Sequence, residues 1–206
     1  MAIWAVTGGI ACGKSAVVNA FMALGITCYS ADEDAKDALN DPDVNRKVRS
    51  AFPDAIDSQG HLDRAKLGRL IFADDNRRAL LGQIMHPYIR ERMRARIEQN
   101  HASTVVKLEL YEVPLLFEGG LEAWFDGTIC VTCKPEVQTQ RLIDRHYLRY
   151  QSRLSDEEVK HILNSQIPVK DKANKSDIVI DNSGTEDDLI QAVTEVLATL
   201  NIIATP

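Results

Sequence analysis

Apolar residues along this chain fall into two alternating patterns. Short apolar runs occur near residues 2–7, 26–29, 105–112, 127–133 and 177–181, the lengths expected of buried strands. Between them apolar positions recur at helical spacing. Val17, Val18, Phe21, Met22 and Leu24 mark a helix over 14–24, with Gly25 as its stop signal. Further helices are predicted near 135–150, 155–165 and 186–200, the second of these opened by a capping box, Ser155 with Glu158. Strands alternating with helices predict an α/β fold with a parallel sheet covered on both faces. The gap between the second and third strands is helical in pattern: "LDRAKLGRLIF", "NRRALLGQIM" and "PYIRERMRARIEQN" are amphipathic. No Pro/Gly/Ser-rich linker bounds it, so it reads as a helical insertion and not as a separate domain. The last few residues are expected to fray.

Composition narrows the class. An apolar content of 45% supports a sizeable core, and the formal net charge of −6 argues against nonspecific binding to nucleic acid or to an anionic membrane. No apolar run approaches the roughly 20 residues of a membrane span. The start of the chain lacks the basic and apolar regions of a signal peptide, so a cytoplasmic location is expected. The four cysteines lie at 12, 28, 130 and 133. Cys130 and Cys133 sit three apart on a predicted strand, which points them to opposite faces; they are expected to pack in the core.

"GGIACGKS", residues 8–15, carries the candidate chemistry. A G-x-x-x-x-G-K-S spacing between a strand and a helix wraps backbone N–H groups around a phosphate chain. Lys14 would reach the β- and γ-phosphates and the Ser15 hydroxyl would ligate Mg²⁺. Cys12 lies inside this loop, where proximity to a helix N-terminus predicts a lowered thiol pKa and sensitivity to oxidation.

Polar residues at the carboxyl ends of parallel strands face a ligand crevice. "SADEDA" places Ser30, Asp32, Glu33 and Asp34 at one such end. A carboxylate there could take a proton from an attacking hydroxyl or cap the following helix; for Glu33 and Asp34 capping is the reading preferred. Glu112 and Glu118 fall at and beyond the third strand, Glu118 being a turn residue or a ligand contact. His86 precedes Pro87 at an expected helix boundary. Arg141, Arg145, Arg149 and Arg153 recur every fourth residue, which on a helix makes one cationic stripe. Such a stripe suits a mobile lid that clamps phosphate oxygens.

These pieces resemble the dephospho-CoA kinase family, which phosphorylates the ribose 3′-hydroxyl of dephospho-CoA. The matching stretches run almost end to end: "TGGIACGKS", "SADEDA", "HLDR", "LIF", "MHPYI", "VPLLFE", the arginine segment, "SQIPVKDK" and "SDIVIDNSG". The resemblance implies a P-loop kinase fold with a five-stranded parallel sheet flanked by helices, as one domain over 1–206. Its core would be 1–36, 103–140 and 175–206, with a helical CoA-substrate subdomain over about 37–102 and a lid over about 141–170. It implies ATP as co-substrate, Mg²⁺ on Ser15, and Asp32 as general base, with Lys14 and Arg145 also catalytic. The nucleotide would be held by Gly8, Gly9, Ile10, Ala11, Cys12, Gly13, Lys14, Ser15 and Ala16, together with Arg141, Asn182 and Gly184. Arg64, His86 and Glu118 would join Asp32 on the dephospho-CoA side. Neither nucleic acid nor membrane is an implied partner, and the expected state is a monomer or weak homo-oligomer.

The chain departs from the family pattern at four places. Ala11 and Cys12 replace the usual glycine and serine of the loop, and Ala11 is tolerated only if its φ is negative. Ser30 replaces the first acid of Asp-Ala-Asp. Ile162 replaces an arginine four residues before the Gln of "SQIP". The lid segment between Arg145 and Ser155 is longer than usual, which leaves open whether Arg145, Arg149 or Arg153 takes the main lid role. Two rival readings stand beside this one. Another P-loop small-molecule or nucleoside monophosphate kinase could use Arg64 and Arg69 as a phosphate clamp. A nucleotide switch could read guanine with "NKSD" at 174–177, although base-reading loops follow strands and this one precedes a predicted strand.

Overall fold

The computed structural model describes residues 2–105 and 108–200, apart from the side chains of Phe72 and Asp75. Residues 106–107 of the predicted third strand and the tail expected to fray lie outside the described residues.

Five parallel strands form one sheet in the order β2-β3-β1-β4-β5. They are β1 (Ala2–Gly8), β2 (Thr27–Ser30), β3 (Leu108–Glu112), β4 (Gly127–Thr132) and β5 (Ile178–Asp181). β1 lies in the centre, with Ala2 opposite Leu108 of β3 and Trp4 opposite Gly127 of β4. A central strand covered on both faces needs an almost unbroken apolar run, and "AIWAV" supplies it. Helices α1 (Lys14–Ala23) and α9 (Glu186–Thr199) bury Val17, Phe21, Val193 and Leu197 with Val6, Ile129 and Ile180 of the sheet. Between β4 and β5 the chain forms α6 (Pro135–Tyr150), α7 (Asp156–Asn164) and α8 (Val169–Asn174). Ser155 and Glu158 make the expected capping box at α7, and those hydrogen bonds hold the Glu158 carboxyl below its usual pKa.

Contacts divide the chain into two compact units: residues up to Ser30 with those from Ile97 on, and the helical unit Ala31–Arg96. The helical unit contains α2 (Ala31–Ala38), α3 (Pro42–Ala51), α4 (Arg64–Ala73) and most of α5 (Asp75–Ala102). Its own core joins Val44, Val48, Phe52, Leu67, Leu81 and Met85. Asp41 and Asp63 cap α3 and α4 by accepting two backbone N–H groups each.

Two expectations are corrected here. The helix boundary expected at His86 does not occur: α5 runs through Pro87. An interior proline costs about 3 kcal/mol. However, Ile84 and Met85 before it and Tyr88 and Ile89 after it pack on the same cluster, and that burial keeps the helix continuous. Asp34 does not cap α2. Its side chain is buried, accepts from Arg96 at 2.8 Å and pairs with Arg92 at 3.4 Å, so α5 supplies its partners. A carboxylate taken out of water needs such charged partners.

Candidate active site

The loop between β1 and α1 is built on two glycines. At Gly8 a Cβ would run into the Val131 carbonyl of the neighbouring strand. Gly13, at φ 86°, forms the N-cap of α1, and a Cβ there would strike the Asn182 amide. No side chain caps α1, so the amide donors of its first turn have no side-chain acceptor, the arrangement that receives an anion. Lys14 folds back over the loop and donates to the carbonyls of Gly8 (3.3 Å) and Gly9 (3.0 Å). Gln138 of α6 donates to the Ile10 carbonyl at 2.8 Å, and Asn182 donates to the Cys12 carbonyl at 2.9 Å. The loop is thus held from three directions, with Ser15 exposed at its exit.

Ala11 overturns the expectation of a negative φ: it sits at 59°, in the left-handed region. The hydrogen bonds to the carbonyls on either side, with that of Cys12 N–H to the Gly9 carbonyl, fix the turn around it. The methyl group makes that conformation cost about 1–2 kcal/mol.

Cys12 is also corrected. Its side chain is buried against Cys133, and burial pushes its thiol up from 9.0 to about 12 instead of lowering it. Loss of solvation, with Cys133 beside it, outweighs the pull of Lys14. Cys130 and Cys133 are buried, free thiols, as expected of core residues, and among the described residues no cluster of His, Cys, Asp or Glu could hold a metal ion.

Next to the loop lies a cleft of about 620 Å³, lined by Gly13, Ala16, Arg141, Asn182 and Gly184, and by Leu189 and Ile190 of α9. Arg141 donates to the Asn182 carbonyl at 2.8 Å, which fixes one wall. Along α1 and α9 the cleft is mainly apolar, with Asn19 and Glu186 as polar members, and Gly13, Arg141 and Asn182 line it near the loop, so one end suits a flat base and the other a phosphate chain.

The four-arginine stripe is shortened. Helix α6 ends at Tyr150, where Gln151 adopts a left-handed conformation, and Arg153 lies in the loop beyond. The His146 ring bonds the Ser152 carbonyl and packs on Tyr150, turning the chain out of the helix. Gln138, Arg141 and Arg145 share one helical face at i, i+3 and i+7, and the first two already contact the loop and the Asn182 turn. Arg145 is exposed, whereas Arg149 lies over the Tyr150 ring.

The other expected site residues fall in different surroundings. Asp32 is exposed in the first turn of α2. Arg64 donates to Asn40 at 2.6 Å, and exposed His86 lies over Gly82 on α5. Glu118 accepts from the Ile167 backbone at 3.0 Å and pairs with Lys172 at 2.8 Å. Asp177 of "NKSD" accepts from the Thr128 backbone and hydroxyl, both at 2.8 Å, a structural role that leaves no base-reading carboxylate. Two residues escaped the sequence reading. Gln138 carried a signal, since it shares a helical face with Arg141. Lys172 ends the matching stretch "SQIPVKDK", but a lysine in a polar stretch reads as exposed, and this one is fully buried.

A family model described as dephospho-CoA kinase (CoaE) matches residues 2–188. The chain belongs to the dephospho-CoA kinase family. The Arabidopsis thaliana dephospho-CoA kinase is 38% identical over 199 residues, covering 96% of this chain and 83% of the relative. The dephospho-CoA kinase of Geobacillus kaustophilus is 35% identical over 184 residues, 88% of each chain. The solved dephospho-CoA kinase of Campylobacter jejuni superimposes with a TM-score of 0.68 at 26% identity, over 96% of both chains. The five-stranded parallel sheet with flanking helices is therefore the P-loop kinase fold that the resemblance implied, and the dephospho-CoA kinase family implies ATP as co-substrate. Among the described residues no helix is long and apolar enough to cross a membrane.

Proposed function

We propose that the chain transfers the γ-phosphoryl group of ATP to the ribose 3′-hydroxyl of dephospho-CoA, giving coenzyme A and ADP in the last step of coenzyme A synthesis. The observation that carries this reading is the uncapped, glycine-shaped loop opening into the cleft beside Asn182, in a chain that matches the family over residues 2–188. Base and ribose would lie between α1 and α9, and the phosphate chain would run along the loop amides.

In this reading Lys14 leaves the loop carbonyls to meet the β- and γ-phosphates. Asp32 accepts the proton of the attacking hydroxyl, and Arg145 holds the oxygens of the group in transfer. Arg64 and His86 serve the acceptor. Residues of about 141–170 act as a lid that excludes water. Ser15, exposed at the start of α1, fits Mg²⁺: such an ion is held by one hydroxyl, phosphate oxygens and water and needs no protein cage. Bound there, the ion would neutralise charge on the phosphates. The cytoplasm is the compartment proposed, and a monomer or weak homo-oligomer the state.

An ADP-release assay offering dephospho-CoA, AMP, CMP and shikimate tests the reading. Turnover should require dephospho-CoA. Faster ADP release with a nucleoside monophosphate would move the chain to the rival kinase class.

A further inference from the structure

We propose that Lys172 is a positioning residue for the phosphate loop, acting through α8, with Glu118 as its fixed counter-ion. The kinase reading is needed only for the acceptor arm of the test below.

The Lys172 side chain is 0% exposed. A charge so placed persists only where it is paired and hydrogen-bonded. Its Nζ donates to the Pro114 carbonyl at 3.0 Å and pairs with Glu118 Oε1 at 2.8 Å. The same Glu118 oxygen accepts the Ile167 N–H at 3.0 Å, and the Pro114 carbonyl also takes the Thr7 hydroxyl at 3.4 Å. One ammonium therefore gathers the segment after β3, the segment entering α8, and the residue just before Gly8.

Helix α8 has only six residues and no side-chain N-cap, too little to hold its own position. Its first residue, Val169, has its Cβ 3.1 Å from where a side chain on Gly9 would begin. The Gly9 carbonyl on this same stretch is one that Lys14 engages. Helix α8 is thus a wall of the phosphate loop, and Lys172 fixes that wall. In this proposal Glu118 acts on the loop through Lys172, in place of the dephospho-CoA contact that the resemblance implies.

Three variants of the full chain test this: Lys172→Met, Glu118→Gln and the double substitution. ATP affinity is read by calorimetry without acceptor, stability by thermal melting, and KM for dephospho-CoA by turnover. Lys172→Met should weaken ATP binding about tenfold or more, the scale of a misplaced reacting group. Glu118→Gln should move it the same way by less. The double variant should melt above Lys172→Met, because no carboxylate is stranded. It should bind ATP no better than Lys172→Met, a separation that a purely structural role would not give. KM for dephospho-CoA should stay within about twofold in every variant that folds. Wild-type ATP affinity in Lys172→Met overturns the proposal. So does a raised KM for dephospho-CoA in Glu118→Gln with ATP affinity unchanged, which would make Glu118 a substrate contact. If Lys172→Met does not fold, Glu118→Gln decides: unchanged ATP affinity overturns. A wild-type chain that binds ATP but leaves dephospho-CoA untouched would sink the acceptor reading, while the ATP arm would still decide Lys172.

Discussion

Asn182 and Cys12 stand 170 positions apart in the chain and are joined by one hydrogen bond, from the Asn182 amide to the Cys12 carbonyl at 2.9 Å. The Asn182 carbonyl in turn takes Arg141 at 2.8 Å. One buried residue, its side chain on the loop and its backbone carbonyl on Arg141, therefore couples the phosphate loop to the cleft wall. Asn182→Ala should cost about 1–3 kcal/mol of stability, since the Cys12 carbonyl loses its partner. It should also weaken ATP binding about tenfold by freeing the loop. Calorimetry with ATP and a thermal melt check both; ATP affinity equal to wild type would mean the loop holds its shape unaided.

Asp32 is exposed in the first turn of α2, free to meet a substrate hydroxyl. Asp32→Asn should leave ATP affinity nearly unchanged and cut turnover by about 10²-fold or more, the scale of general-base catalysis. Near-normal turnover would remove Asp32 from the mechanism.

Cys12 carries a pH prediction. Burial raises its thiol from 9.0 to about 12. As pH rises the unfolded chain loses this proton first, so the stabilisation is whole below pH 9.0 and is lost between there and about 12. Cys12 alone should contribute about 1.4 kcal/mol per pH unit within that window. Melting temperature should therefore fall more steeply above pH 9.0 in the wild type than in Cys12→Ser. The neutral, buried thiol should also resist oxidation, so mild peroxide should inactivate both proteins at one rate. Faster loss in the wild type would show the thiol to be reachable.

Arg145 and Arg153 are predicted to part company. Arg145 shares the helical face of Gln138 and Arg141, whereas Arg153 lies past the end of α6. Arg145→Ala should lower turnover by about 10²-fold with a smaller loss of ATP affinity, since the contact proposed for it would strengthen in the transition state. Arg153→Ala should change both by less than about twofold, as expected of an exposed side chain away from the reacting groups. Steady-state kinetics with calorimetry separates the two; a larger loss at Arg153 would transfer the lid role to it.

Where local pattern decides structure, the sequence was legible. Four of the five strands lie within two residues of the apolar runs, because a doubly covered parallel strand leaves few places for polar residues. Ser155 announced α7 because a capping box is local chemistry. Where distant residues decide, it was not. Pro87 reads as a helix end until its neighbours are seen to share one core. Cys12 reads as reactive until Cys133 and burial are known. Asp34 and Lys172 read as surface charges because their partners lie on other elements.

The central place of β1 fixes an order of events during synthesis. Ala2 pairs with Leu108, so at ordinary translation rates this apolar strand waits roughly 5–20 s for its neighbour to be made. It spends that time as an unpaired, aggregation-prone segment. The clamp on the Cys12 carbonyl comes later still, with Asn182. A nascent chain thus has its glycine loop early and the hydrogen bond that holds it only when synthesis has passed β5.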